Sequence, residues 1–264
     1  MTAVAFAQPA DGTHRPPVTG AAREIAAMAT EVMTDAMRLH PRSQQTAPGP
    51  SELGTPCGRR LAYKILDWAQ PNDGRDQWLS TIGTAVHTWQ AEQFEAVNRR
   101  LGRTRFLVER RVHLPEKISG SCDLYDTDTG DVIDWKVTSP DRIRKYARNG
   151  PGDQYRVQAH LYGLGWLLAG QQPHRVAIVF LPRSGLLSGM HVWAEPFDPQ
   201  VAVGAIGRYR ATVLALAHLD PERHPDRWAM FPTADAFCSW CPYFLPGSTD
   251  LSSGCPGHNP SKEK

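Results

Sequence analysis

Residues 132–139, VIDWKVTS, alternate β-prone apolar side chains with polar ones and set Asp134 and Lys136 two positions apart. In a strand, alternate side chains share a face. Asp134 and Lys136 therefore stand on one face, about 7 Å apart at about 3.3 Å per residue. Ile133, Trp135 and Val137 take the other. Taken alone, this is also the pattern of an edge strand with a solvated ion pair. Lysine is scarce, with 6 lysines against 23 arginines, which makes Lys136 inside a strand more notable.

The flanking chain sets this strand in an α/β frame. Residues 1–20 are rich in Pro, Ala, Gly and Thr and read as a disordered segment. Residues 21–40 place Ile25, Met28, Val32 and Met37 near helical spacing and predict an amphipathic packing helix. A linker, PRSQQTAPGP, follows. SELGTPCGRRLAYKILDW then puts Cys57 at the head of a helix, and QWLSTIGTAVHTWQAEQFEAV is a longer helix carrying His87. From Arg105 the period changes to that of strands. RFLVERRVHL, KISGSCDLYD and DVIDWKVTS form a meander, the last two joined by the tight turn TDTG. A helix from Asp153 to Ala169, stopped by Gly170, precedes a buried strand RVAIVFLP, a further strand GMHVWAEPF, and a helix PQVAVGAIGRYRATVLALAHL. No internal repeat is present. The order predicts an α/β core with a mixed sheet, an N-terminal helical piece and a cysteine-bearing tail.

Bulk properties exclude some functions. The net charge is only +2, so a nucleic-acid surface has to come from local clustering. No run of about 18 apolar residues exists to span a membrane. The N-terminus lacks the basic and apolar regions of a signal peptide, so the expected location is the cytoplasm. In that compartment five cysteines at uneven spacing point to a metal or cluster before disulfides.

A tight hairpin brings Asp123 of KISGSCDLYD beside Asp134. Phosphodiester hydrolysis calls for a hard cation that binds phosphate and activates water, and magnesium or manganese takes oxygen ligands. Asp123, Asp134 and the backbone carbonyl of Trp135 could supply them, with Lys136 facing the charge that develops on phosphorus. An acid on one strand followed by D-x-K on the next resembles the PD-(D/E)XK nuclease superfamily. GTAVHTW on the preceding helix, SGSCD as G-x-x-D, and QAHLY as Q-x-x-x-Y extend the likeness to its RecB-like branch across residues 83–162. The resemblance implies a restriction-endonuclease-like core over about residues 83–195. It makes His87 a further ligand of Mg²⁺ or Mn²⁺, and gives Gln158 and Tyr162 places at the site. Glu109 reads either as a strand surface charge or as a neighbour of the site.

Cys238 and Cys241 form C-x-x-C, Cys255 follows, and Cys57 lies far ahead of them. Four thiolates complete a tetrahedral set for zinc or a [4Fe–4S] cluster, and spacing does not separate the two. One cysteine before a nuclease core and three after it resembles the CRISPR-associated RecB-like exonucleases and the AddB-type nuclease domains, which implies the iron–sulfur cluster. The interval between Cys241 and Cys255 is longer than is usual there, and His258 is a substitute ligand to be considered. Cys122 reads as a small buried residue.

These readings divide the chain into residues 1–50, a segment with one helix, and residues 51–264, a single nuclease domain closed by its four cysteines. The resemblance implies a metal-dependent exonuclease acting at single-stranded DNA ends in recombination, repair, phage replication or CRISPR spacer capture, with a helicase or an adaptation protein as partner. Arg59, Arg60, Arg142, Arg144, Lys145 and Arg148 could follow the phosphate backbone. The alternatives are a non-catalytic DNA-end-binding module and a zinc-stabilised partner of a helicase.

Overall fold

The structure is a computed structural model and describes residues 20–39, 47–72 and 77–258. It has two compact units, residues 1–44 and 45–264. In the first, the described element is the helix α1 (Gly20–Leu39). It is the amphipathic helix that the periodicity predicts, but none of its residues is buried, and Ile25, Met28 and Val32 are all exposed. Apart from Gly20, the segment read as disordered lies outside the described residues, as does most of the linker.

In the second unit, Pro50 at the start of its first helix is already buried. Its helices are α2 (Pro50–Leu53), α3 (Gly58–Ile65), α4 (Trp78–Leu101), α5 (Pro140–Asn149), α6 (Asp153–Leu168) and α7 (Pro199–Leu219). Its strands are β1 (Phe106–His113), β2 (Ser119–Asp126), β3 (Asp131–Thr138), β4 (Arg175–Pro182) and β5 (His191–Pro196). They form one sheet in the order β1-β2-β3-β4-β5. The β1-β2-β3 meander is antiparallel, β3 and β4 are parallel, and β5 returns antiparallel to β4. This is the mixed α/β core flanked by helices that the sequence predicts.

The parallel step requires a crossover between β3 and β4. It contains α6, as predicted, and also α5, which the strand and helix patterns of the sequence did not separate from its surroundings. The N-terminus of α5 carries recognisable signals. The Ser139 hydroxyl accepts from the Arg142 amide at 3.4 Å, and Pro140 takes the first helical turn. Only Ile143 and Tyr146 are buried on this charged helix, too few to give a clear apolar period.

The two faces of the sheet have different partners. On one, Phe94 of α4 packs on Phe106 and Trp135 with ring centroids 5.0 and 5.8 Å apart. On the other, Val132, Ile178 and Phe180 join Tyr146 of α5 and Ala159, Tyr162 and Trp166 of α6 in the main core. Residues 158–166 of α6 are all buried, because the helix lies between the sheet and α7. That close packing needs small residues. A Cβ on Gly165 would stand 2.6 Å from a Val112 methyl and 2.7 Å from its Cβ. Val112 is β-branched and stiff, so α6 would have to move off β1. Gly165→Ala is therefore expected to destabilise the unit by about 1–3 kcal/mol, read as a lower urea midpoint with an unchanged m-value.

A third, aromatic core joins α3 and α7 to the cysteine-bearing tail. The Tyr63 ring packs on those of Trp228 and Tyr243, with centroids 4.2 and 5.0 Å away and the planes tilted by 37° and 33°. The Tyr63 hydroxyl donates to the Leu251 carbonyl at 2.5 Å, and the Trp68 indole donates to Ser252 at 2.8 Å. Among the described residues no helix is long and apolar enough to cross a membrane.

Candidate functional site

Three side chains from three elements meet at the β1–β2 ladder. His87 projects from α4, Glu109 from β1 and Asp123 from β2, and one donor atom from each lies within 4.8 Å of the others. Among the described residues this is the one such group of three or more His, Cys, Asp or Glu. His87 Nδ1 stands 3.4 Å from Asp123 Oδ1 and 3.9 Å from Glu109 Oε1. It is buried and makes no well-aligned hydrogen bond to either. A nitrogen turned towards a point shared with two carboxylates is the arrangement that a cation would complete.

The strands distort to build this group. Val108 pairs with Leu124 and Arg110 with Cys122, but Glu109, between them, has a left-handed φ of 48° and leaves the ladder opposite Asp123. The alternation of both strands slips there. Leu107 pairs with Tyr125, which stacks on Trp166 of α6, and Val112, five residues later, also faces α6. A non-glycine residue in this conformation costs on the order of 1–3 kcal/mol and occurs where the surroundings impose it, often at functional sites.

Asp134 lies across from Asp123, one position beyond the Leu124–Ile133 pair. Asp123 Oδ2 accepts the Trp135 amide at 2.8 Å, so its carboxylate bridges the two strands. Asp134 does not enter the His87–Glu109–Asp123 group. Its carboxylate forms an ion pair with Lys136 on the same face of β3, as the alternation requires. The Lys136 ammonium also sits 5.2 Å from the centroid of the Tyr155 ring. Gln158 and Tyr162 extend from α6 over this region. Both are buried, and the Gln158 amide donates to the Tyr162 hydroxyl at 3.4 Å. Tyr162 comes close to Gly120 at the start of β2, where a Cβ would be 3.3 Å from its ring. Of the residues singled out from the sequence, the structure thus gathers His87, Asp123, Asp134, Lys136, Gln158 and Tyr162. It adds Glu109 to the first two.

Burial pushes the Asp134 carboxyl up to about 6, and Asp123 adds to this while Lys136 opposes it. Burial acts on Asp123 in the same direction, but His87 and Lys136 outweigh it and hold that carboxyl below its ordinary range. Burial would lower both His87 and Lys136. The contact with Asp123 raises His87 on balance, and the charges of Asp134 and Asp123 raise Lys136. Burial drives Tyr162 well above a free phenol. The carboxylates of Glu109, Asp123 and Asp134 outnumber the Lys136 ammonium, and this negative excess suits a divalent cation.

The second group of candidate ligands is at the other end of the unit. Cys57, Cys238, Cys241 and Cys255 line one cavity between α3 and the tail. Cys57 is the N-cap of α3, and its sulfur accepts from the Arg60 amide at 3.5 Å. Cys238 Sγ accepts from the His258 amide at 3.3 Å, and Cys255 Sγ from the Arg59 guanidinium at 3.6 Å. Backbone and guanidinium donors aimed at sulfur suit thiolate ligands. The four cysteines therefore fit a bound metal or cluster. The His258 ring is turned to the Thr233 hydroxyl at 3.0 Å. Cys122 is fully buried in the main core and apart from these four.

The basic residues divide. Arg59 is tied to the tail, donating to the carbonyls of Trp228 at 3.1 Å and Phe231 at 3.4 Å, so it braces structure and is not available to follow a strand. Arg60 lines the cysteine cavity. On exposed α5, Arg142 and Lys145 both lie 5.2 Å from the ring centroid of Phe237, the residue before Cys238. Arg144 pairs with Asp141, and Arg148 is exposed.

No family model and no curated protein matches the chain. Among solved structures it is similar to a phage-related exonuclease from Haemophilus somnus 129PT, at 14% identity over 52% of this chain and 70% of that one, with a TM-score of 0.38. It is similar to SSO0001 at 14% identity over 83% and 94% of the two chains, with a TM-score of 0.40. It is also similar to the alkaline exonuclease LHK-Exo from Laribacter hongkongensis, at 15% identity over 68% and 96%, with a TM-score of 0.37.

Proposed function

We propose that the chain is a metal-dependent DNA exonuclease of the RecB-like PD-(D/E)XK type, hydrolysing phosphodiesters at single-stranded ends. The observation that carries this reading is the convergence of His87, Glu109 and Asp123 beside the ion pair of buried Asp134 with half-buried Lys136. His87, Glu109 and Asp123 would hold Mg²⁺ or Mn²⁺, with Asp134 and the Trp135 carbonyl next to them. The imidazole favours Mn²⁺ over Mg²⁺. When bound, such a cation binds phosphate oxygens and lowers the pKa of a water. Lys136, kept protonated by its acidic neighbours, presents a compact positive charge to the phosphorus centre. Gln158 and Tyr162 wall the site and orient the scissile group. The cations of α5 follow the backbone, and Phe237 offers a face for base stacking.

The four cysteines are read as ligands of a [4Fe–4S] cluster. The cysteines' layout, one ahead of the core and three behind it, together with their shared cavity, supports that reading over zinc, which four thiolates would also hold. Recombination, repair, phage replication or spacer capture is the setting proposed, with a helicase or a CRISPR adaptation protein alongside.

The direct test is end-labelled single-stranded DNA with Mn²⁺, with and without a chelator. Glu109→Gln should raise the Mn²⁺ concentration for half-maximal cleavage by about tenfold or more, the scale for weakening a ligand set. Cleavage that ignores the chelator, or an unchanged Mn²⁺ requirement in Glu109→Gln, would reject this metal site.

A further inference from the structure

Beside the cysteine cavity is a second cavity, of about 90 Å³, between α3 and the tail. Glu52, Thr55, Arg60, Lys64, Gln70 and Tyr243 line it. Thr55 and Tyr243 are 1% and 2% exposed, and neither hydroxyl has a hydrogen-bond partner. Buried hydroxyls are rarely left so, and the space is large enough for a polar guest. Two of the wall residues are cations. The one carboxylate, Glu52, already accepts the Gly49 amide at 2.9 Å through Oε2. Two unpartnered hydroxyls beside a guanidinium call for a guest made of acceptors.

We propose that this cavity binds a phosphate-class oxyanion, held by Arg60 and the hydroxyls of Thr55 and Tyr243, with Lys64 on the cavity wall. The guest joins the same two parts of the chain as the cysteines do. Arg60 follows Cys57 by three residues on α3, and Tyr243 follows Cys241 by two in the tail. Arg60 lines both cavities. The oxyanion is thus a second tie between α3 and the tail, next to the first. The site shares no residue with the His87–Glu109–Asp123 group, so it does not depend on the nuclease reading.

The test titrates inorganic phosphate into the whole protein by calorimetry, in a phosphate-free buffer without divalent metal or DNA. Saturable binding at one site per chain is expected. Tyr243→Phe and Thr55→Val should each weaken it about tenfold, the scale of one charge-assisted hydrogen bond. Both variants remove only an unpartnered hydroxyl, so they should fold even where Arg60→Gln does not. Dimethyl phosphate separates the sources. Binding of inorganic phosphate alone assigns the site to a free oxyanion, and Tyr243-dependent binding of the diester as well assigns it to the backbone of a bound strand. The proposal is overturned by absence of saturable binding for both probes, or by equal binding in wild type and Tyr243→Phe. The cavity then holds water.

Discussion

Asp123→Asn should lower DNA cleavage by about 10³-fold or more while the protein stays folded. The carboxylate has two tasks. Oδ2 accepts the Trp135 amide at 2.8 Å, and Oδ1 faces His87 at 3.4 Å. An asparagine keeps the shape and can still accept from Trp135 through its carbonyl. It loses the charge, and its NH₂ group then meets His87, so the imidazole and the new side chain cannot both serve as acceptors for a cation. The charge that holds His87 up is also removed. A bound cation supplies several kcal/mol to charge stabilisation, and about 1.4 kcal/mol is a factor of ten in rate. Cleavage should therefore fall to near background at any practical Mn²⁺ concentration, and Mn²⁺ binding followed by electron paramagnetic resonance should weaken in parallel. Far-UV circular dichroism should be unchanged. A variant that keeps more than about a tenth of wild-type cleavage would remove Asp123 from the metal group.

The legible part of the site was the part fixed by local periodicity. The alternation in VIDWKVTS places Asp134 and Lys136 together, and they pair. The TDTG turn sets the β2–β3 register, and with it the position of Asp123 across from Asp134. Glu109 was less legible. In RFLVERRVHL it is one charge among several, and its left-handed backbone, which takes it out of the ladder opposite Asp123, leaves no mark on composition or period. Arg59 was misleading for another reason. Beside Arg60 it looks like half of a basic pair, but its partners are carbonyls of Trp228 and Phe231, remote in sequence and brought near only by the aromatic core. Residue type alone pointed to the four cysteines as one group, because thiolates at both ends of a domain have few other uses. The cavity beside them was not legible, since Thr55 and Tyr243 are ordinary residues until burial leaves their hydroxyls without partners.

Cys57→Ala should abolish the cysteine-bound group and lower the melting temperature by about 10 °C or more. A group bound by the four thiols, which line one cavity, would tie the start of the second unit to its end, so that α4, the sheet, α5, α6 and α7 would all lie inside one closed loop. For loops longer than about 100 residues, chain-entropy arguments put the gain from a crosslink on the order of 5 kcal/mol. Part of the tie survives the loss. Tyr63 remains bonded to Leu251, Trp68 to Ser252, and Arg59 to Trp228 and Phe231. The realised effect is then a fraction of the full value, and about 3 kcal/mol corresponds to roughly 10 °C in a domain of this size. The tail should open first, because the contacts that remain are hydrogen bonds and tilted aromatic contacts at single points, so limited proteolysis should cut within residues 232–258 before the sheet is touched. For an iron–sulfur cluster, anaerobically purified wild type is brown and Cys57→Ala is colourless, whereas Asp123→Asn keeps the wild-type colour and iron. Nuclease activity in Cys57→Ala should fall with the folded fraction and recover on cooling, since no electron passes during hydrolysis. About one zinc and no iron in the wild type would reject the cluster and leave the crosslink standing. Full metal content in Cys57→Ala would reject the crosslink itself.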